Sequence, residues 1–313
     1  MTEPLSFRRR DRVLEAMAAR GLDTLVLGRA DNTFYASGMR GLWTAGTRPF
    51  GAGCVVIAET GRTHVLSTSD AGLPETMTKE DLYSLTWNPQ VMAGHLAAIE
   101  GFAESTLIGV DEVSPSFERA MARIAPRADI VPADDLMAEV RRIKFDEEIE
   151  RVEAACAVAW SGVEAVLQTP GNPNPIGTAI VAMAKAGTTV PASAPTVLRR
   201  GDETIIDLGV LLDGYEGGVG GTFVYGQRQA TAPIVDACRS GANHADLANA
   251  AAGPWLVRGL GMGFENPVLD PGHGHREVLE SGMVLSVSHR DHRDVIAVTD
   301  GPPRILSTRP ASL

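Results

Sequence analysis

The stretch IIDLGVLLDGYEGGVGGTFVYG, Ile205 to Gly226, leaves this chain little local choice. Two apolar runs flank Asp213-Gly214, and an Asp-Gly pair between such runs is a strong short-range signal for a β-hairpin. One acid, Asp207, stands among isoleucine and leucine in the first strand. Gly217, Gly218, Gly220, Gly221 and Gly226 then follow where a site on the hairpin would be expected to carry side chains. What the hairpin holds is the question the rest of the sequence has to answer.

The chain has 313 residues, enough for two ordinary domains or one large one. A net charge of −11 argues against nucleic acid as a partner, because phosphate binding needs a basic stripe. The basic clusters Arg8–Arg12, Arg141–Lys144 and Arg199–Arg200 are short and read as solvated faces. No apolar run reaches the roughly 18 residues of a membrane span. The opening MTEPLSFRRRDRVLEAM has no apolar segment like that of a signal peptide. Cys54, Cys156 and Cys238 are scattered, and fit buried thiols in a reducing cytoplasm better than a disulfide framework.

The first part of the chain alternates helix and strand signals. A helix is expected over Arg8–Arg20, stopped by Gly21, then a strand over Asp23–Gly28. A hairpin follows around ETGR, then a helix in LAAIEGFA and a strand in TLIGVD. A helix in SFERAMARIA, capped by Ser116, and a strand in ADIVPAD complete an α/β domain. Its boundary is expected at 137/138. A long helical stretch comes next, broken at Lys144-Phe145-Asp146 with Asp146 as the cap of the second part, then a helix over about Gly177–Ala186. Glycine-rich strands begin at Asp202. One further helix is expected over Gln229–Ala251, and two final strands, GMVLSVS and DVIAVT, joined by a His- and Arg-rich loop.

Taken in order, GLDTLVLGRADNTFYASG, VRRIKFDEEIERVEAACAVA, GDETIIDLGVLLDGY, RGLGMGFENP, LESGMVLSV and DVIAVTDGPPRILST resemble the creatinase, prolidase and aminopeptidase P family over nearly the whole chain. The resemblance implies an α/β N-terminal domain over 1–137 and an α+β pita-bread C-terminal domain over 138–313. It also implies a homodimer. In the peptidases of that family two metal ions are held by two Asp, one His and two Glu, hard oxygen-rich ligands that let a metal pair activate a water.

Those ligands carry over poorly. The first Asp matches Asp207 in IIDLG. The second falls eleven residues on, at Gly218. The His position is Arg258 in RGLGM, the first Glu is Ser288 after GMVLSV, and the second Glu is Arg293 before Asp294. One ligand of five remains, and two are replaced by cations. Guanidinium has no acceptor and does not deprotonate, and two unit charges about 4 Å apart near a surface interact by roughly 4 kcal/mol. No metal and no cofactor is therefore expected. The segment TTVPASAPTVLRRGD also lacks the histidine by which creatinase itself, without metal, does its acid–base work.

Candidate site residues follow from these positions. Asp207, as a buried carboxylate, needs a partner, and Arg258 and Arg293 are the candidates. The arginines are either structural salt-bridge partners or a fork for a substrate carboxylate or phosphate. Glu265 in FENP, beside Phe264 and Met262, is a candidate acid/base with a raised pKa, or a hydrogen-bonded turn acid. His289 and His292 flank Ser288 and Arg293 and are the better catalytic candidates among the C-terminal histidines. His273 and His275 read as surface loop, with metal binding a weak signal. Tyr215 matches a Gly-Tyr of the family and reads as packing before chemistry. Trp43 and Arg48, with Arg40, are candidates to reach a ligand from GMRGLWTAGTRPFG.

The expected function is a metal-independent hydrolase or lyase acting on a small, anionic, amino-acid- or peptide-like molecule, possible in specialised biosynthesis. The alternatives are a non-catalytic relative reused for binding, and an Xaa-Pro metallopeptidase with displaced ligands.

Overall fold

In the computed structural model, which describes residues 3–39, 53–67, 70–84, 88–112, 114–230 and 233–311, the Asp213-Gly214 hairpin forms. Both turn residues take positive φ, 50° and 85°, the backbone that suits a tight two-residue connection between twisted strands. The chain divides into two units, 1–140 and 141–313.

The first unit contains helix α1 (Leu5–Ala19), strand β1 (Thr24–Leu27), α2 (Ala30–Ser37), β2 (Cys54–Ile57), β3 (Arg62–Leu66), β4 (Leu82–Tyr83), α3 (Pro89–Ala97), β5 (Leu107–Val110), α4 (Pro115–Ile124), β6 (Asp129–Pro132) and most of α5 (Asp134–Arg142). Its sheet runs β4-β3-β2-β1-β5-β6, with β1, β5 and β6 parallel. Val26, Leu96, Phe102, Ile108 and Phe117 fill the core between sheet and helices. Two local expectations need correction. Ser114, not Ser116, caps α4, because Pro115 takes the first helical position and Ser114 accepts from the Phe117 amide at 3.2 Å. The expected helix in LAAIEGFA ends at Ala97, and the chain turns from there.

The second unit contains α6 (Asp146–Gln168), α7 (Pro175–Ala186), β7 (Thr196–Arg200), β8 (Glu203–Leu212), β9 (Tyr215–Val224), β10 (Gln227–Arg228), α8 (Pro233–Ala237), α9 (His244–Ala250), β11 (Trp255–Leu260), β12 (Phe264–Leu269), β13 (Val284–His289), β14 (His292–Ala297) and β15 (Arg304–Ile305). The sheet order is β12-β11-β13-β14-β9-β8-β7, with β10 on β9 and β15 on β14. Asp146 is the first residue of α6 rather than its cap. The cap is Phe145, whose amide donates to Glu148 at 3.0 Å. The single helix expected over 229–251 is two short ones, separated by a turn at Gly241, which has φ 84°. The expected loop between the last two long strands is only Arg290-Asp291. His289 and His292 are strand residues and face each other across the turn.

Alternation along the strands separates two faces. Ile206, Leu208, Val210, Val219 and Phe223 pack against α6 and α7. Val257, Leu285, Val287 and Ile296 pack with residues of α8 and α9. Pairing of Arg293 with Gly220 puts these two clusters on the same face, so the helices share one side of the sheet. Gly217 lies on that side, and explains one of the glycines: a Cβ there would stand 2.4 Å from the Cys156 amide nitrogen of α6. Helix and strand meet backbone to backbone.

Gly217→Ala should therefore lose about 1–3 kcal/mol or more by forcing α6 away from β9. The exposed Gly171, where an added Cβ meets nothing within 4 Å, is the control and should change by about 0.5 kcal/mol or less on substitution by Ala. Urea midpoints of the two variants check this, and equal midpoints would contradict the packing.

Candidate active site

Opposite the helices, the sheet presents one continuous row of cross-strand neighbours: Leu256, Ser288, Arg293, Gly220, Asp207 and Thr196. Each pairs with the next, so six strands contribute to it. The adjoining row holds Arg258 opposite Ser286, and Gly218 opposite Gly209. Three of the five positions read as former ligand seats, 207, 288 and 293, thus share one row, and the other two, 218 and 258, lie in the row beside it.

Charges join across these rows. Arg293 is buried, and its Nη2 donates to Asp207 Oδ1. Its Nη1 lies 3.8 Å from Glu216 Oε1, and the same oxygen accepts from Arg258 Nη2. Arg258 also donates to the Gly259 carbonyl and lies over the Phe264 ring, 4.8 Å from its centroid. Glu216 is the residue that sequence reasoning missed. It sits on β9 with the parity of Gly218, so it points to the site face, and an acid between Tyr215 and Gly217 in a buried strand was the available signal. The cluster holds two acids and two cations. Glu216 is buried, whereas the Asp207 side chain remains 43% exposed.

The glycines of β9 now have a reason on this side too. A Cβ on Gly218 would stand 2.7 Å from both terminal nitrogens of Arg293. The guanidinium fills the room that a side chain at 218 would need. A Cβ on Gly209 would stand 3.1 Å from Ser193 Oγ and 3.2 Å from Arg293 Nη2. Ser193 belongs to the segment that lacks the expected histidine, and is exposed there.

Other candidates are not brought to this face. His289 and His292 pair with each other on the helix-bearing side, in line with Val287 and Asp294. Sequence neighbours on a strand point to opposite faces, so flanking Ser288 and Arg293 is what removes them from the site. Burial, and then Arg228, lower the His292 pKa against the pull of Asp294 and Asp291, which keeps the ring neutral at pH 7. Glu265 is not in an apolar pocket with a raised pKa. Arg141 Nη2 reaches it at 2.5 Å, Lys144 Nζ at 2.7 Å and the Met262 amide at 2.9 Å. Burial raises its pKa, but Lys144 and Arg141 outweigh burial and bring it down to about 2. Phe264, expected beside it, turns to Arg258 and is largely exposed. Tyr215 is buried on the helix side and donates to Glu148 at 3.0 Å, so it does not line the site. Trp43, Arg48 and Arg40 lie outside the described residues. His273 pairs with Asp270 and His275 lies against His244, both in loops.

A pair of divalent ions does not fit the residues present. The second Asp position has no side chain, the Arg293 guanidinium fills the space beside it, and two guanidiniums stand where neutral or anionic donors are required. Among the described residues, no group of three or more His, Cys, Asp or Glu is placed to hold a metal. The thiols offer no alternative, since all three are buried, and burial pushes Cys156 and Cys238 up to about 12.

Comparison with known proteins agrees with this architecture. Residues 9–143 match the Creatinase/Prolidase N-terminal domain. An Xaa-Pro dipeptidase of Pyrococcus horikoshii is 23% identical over 324 residues, covering 88% of this chain and 87% of the relative. The crystal structure of the prolidase from Pyrococcus horikoshii OT3 superposes with a TM-score of 0.74 at 16% identity, covering 97% of this chain and 99% of that one. An X-Pro aminopeptidase from Thermotoga maritima gives 0.73 at 14% identity over 96% and 98%. Residues 9–143 thus carry a Creatinase/Prolidase N-terminal domain, and the chain has the fold of these prolidases, an α/β N-terminal unit and a pita-bread C-terminal unit. No helix among the described residues is long and apolar enough to cross a membrane.

The Glu265 ion pairs make a pH test. Its folded pKa, about 2, lies below the ordinary 4.5, so the stability it contributes is complete above about pH 4.5 and is lost as pH falls from there towards 2. Over that window unfolding free energy should fall by up to about 1.4 kcal/mol per pH unit on this group's account. Glu265→Gln should remove that slope and cost about 3 kcal/mol or more at pH 7, because Arg141 and Lys144 lose their counter-charge. Denaturant unfolding of both proteins across pH 2–7 reads the difference.

Proposed function

We propose that this chain is a metal-independent enzyme of the hydrolase or lyase type, acting on a small amino-acid- or peptide-like molecule at the Asp207 row. The observation that carries the reading is the Arg293 guanidinium, bonded to Asp207 and lying where a side chain at 218 would have to stand. Asp207 is then a carboxylate held in place through one oxygen and half open to a ligand. In a hydrolytic cycle it would accept a proton from water as the oxygen adds to the carbon of a C–N bond. It would return that proton to the nitrogen as the bond breaks. Thr196, its cross-strand partner, and Ser193, near Gly209, supply hydroxyls on the same side. Arg258 and Arg293 are engaged by carboxylates, which supports the salt-bridge reading of these residues over the anion fork.

A second reading, a non-catalytic binding protein, is favoured by one specific observation. With His289 and His292 on the other face and Glu265 in ion pairs, Asp207 is the accessible carboxylate of the row. An enzyme of this kind works with one acid–base group.

Elemental analysis of the purified protein, before and after incubation with manganese and zinc, should find far less than one ion per chain. Xaa-Pro dipeptides should remain uncleaved whether metal or chelator is added. Two bound ions, or metal-dependent cleavage, would overturn metal independence. A mass-spectrometric screen of amino-acid amides, dipeptides and amidino compounds then separates the two readings. Turnover that falls 100-fold or more in Asp207→Asn supports the enzyme. Binding without turnover of any kind supports the binding protein.

A further inference from the structure

The charges of the row also point to what it admits. Resting on the reading that this face is the site, we propose that it selects a cationic ligand group, an amine or amidine, and that Glu216 determines this selectivity as a built-in anion.

An anion fork needs guanidinium N–H groups free to meet a ligand. Neither arginine offers a free fork. Glu216 Oε1 takes Arg258 Nη2 and stands 3.8 Å from Arg293 Nη1, while Asp207 takes Arg293 Nη2. Arg258 is further spent on the Gly259 carbonyl and on the face of Phe264. A ligand carboxylate or phosphate would have to displace a glutamate that is buried near the start of β9, so Glu216 already occupies the place such a group would take.

What remains accessible carries the opposite sign. The side chains of Arg258, Arg293 and Glu216 are 13% exposed or less, against 43% for Asp207. Farther out on the same face, Arg200 and Glu203 are direct cross-strand neighbours, and their charges oppose each other too. Thr196, the cross-strand partner of Asp207, and Ser193, near Gly209, add hydroxyls, which accept hydrogen bonds from an N–H donor. The whole chain, at −11, adds a field that draws cations in and keeps anions away. One carboxylate with neighbouring hydroxyl acceptors suits an ammonium or amidinium head group.

The test is binding, and it does not depend on turnover. Calorimetric titration of the full chain with butylammonium and benzamidinium, and separately with inorganic phosphate, compares the two signs. Wild type should bind at least one of the cations, and at least tenfold more tightly than phosphate. In Asp207→Asn the cation affinity should fall tenfold or more. Glu216→Gln takes the counter-charge from Arg258 Nη2 and from the Nη1 side of Arg293, and should gain phosphate binding by tenfold or more over wild type. Should that variant fail to fold, wild type and Asp207→Asn decide on their own. Phosphate bound more tightly than either cation by wild type would overturn the charge assignment while leaving the row as a site. Cation binding unchanged in Asp207→Asn would overturn its placement on this row. Binding of neither sign would remove the row as a site and the proposal with it.

Discussion

Register between β8 and β9 decides nearly everything about the second unit. Leu212 faces Tyr215 at the turn and Glu203 faces Val224 at the far end, without a slip between. Parity then assigns Asp207, Gly209, Glu216, Gly218 and Gly220 to one side, and Leu208, Val210, Gly217 and Val219 to the other. A shift by one residue would put Asp207 among the side chains of α6 and bring Leu208 to the polar row. The two-residue turn opposes that shift, since Asp213 and Gly214 both take the positive φ that closes this loop length. The β8–β9 register is carried on by Gly220 pairing with Arg293, and from there across β13 to β11. The ion cluster is therefore a consequence of strand pairing rather than of any local motif.

Within that frame, a guanidinium and a metal ion can do the same structural work and very different chemistry. Both neutralise Asp207, which a sheet would otherwise carry as an uncompensated carboxylate. A guanidinium is tethered to the chain, is planar, and needs no supply from solution. It cannot coordinate water or lower its pKa, and it accepts no electron pair. Replacing ions by Arg293 and Arg258 thus preserves what holds the strands' charges together and removes what a dinuclear peptidase uses to activate water. Glu216 completes the exchange. Without it, the cluster would carry one excess positive charge in a largely buried place, a costly arrangement.

How much of this could be read from the chain varies with the kind of signal. The hairpin, the break near Phe145 and the α/β character of the N-terminal unit were legible, because each rests on local turn chemistry or on the period of apolar residues along one element. Glu216 was not, although its parity with Gly218 was in plain view, because nothing along the chain says that Arg258 reaches across two strands, β13 and β14, to meet it. The histidines failed for a related reason. Nearness in sequence to Ser288 and Arg293 suggested nearness in space, whereas alternation sends His289 and His292 through the sheet to the other side. Glu265 failed on electrostatics. Its apolar sequence neighbours suggested a raised pKa, but Arg141 and Lys144, more than a hundred residues away, set its charge. The helix expected over 229–251 overlooked the weight of Gly241, whose φ of 84° ends one segment before the next begins.

Gly218 and Arg293 are one structural decision rather than two. With Arg293 in place, any side chain at 218 meets its terminal nitrogens at 2.7 Å, inside contact distance. With a carboxylate at 218 and a smaller residue at 293, Asp207 and that carboxylate would share one pocket without a cation, unless a metal supplied it. A side chain at 218 has to displace the Arg293 guanidinium, and loss of Arg293 alone takes away the partner of Asp207. Glu216 is coupled to the same choice through Arg293 Nη1 and Arg258. The cluster consequently has two self-consistent forms, one closed by ions from solution and one closed by arginines. Intermediate compositions would be destabilised by steric overlap or by unpaired charge. That coupling is why a single surviving ligand, Asp207, says little about metal by itself, and why the residues facing it say a great deal.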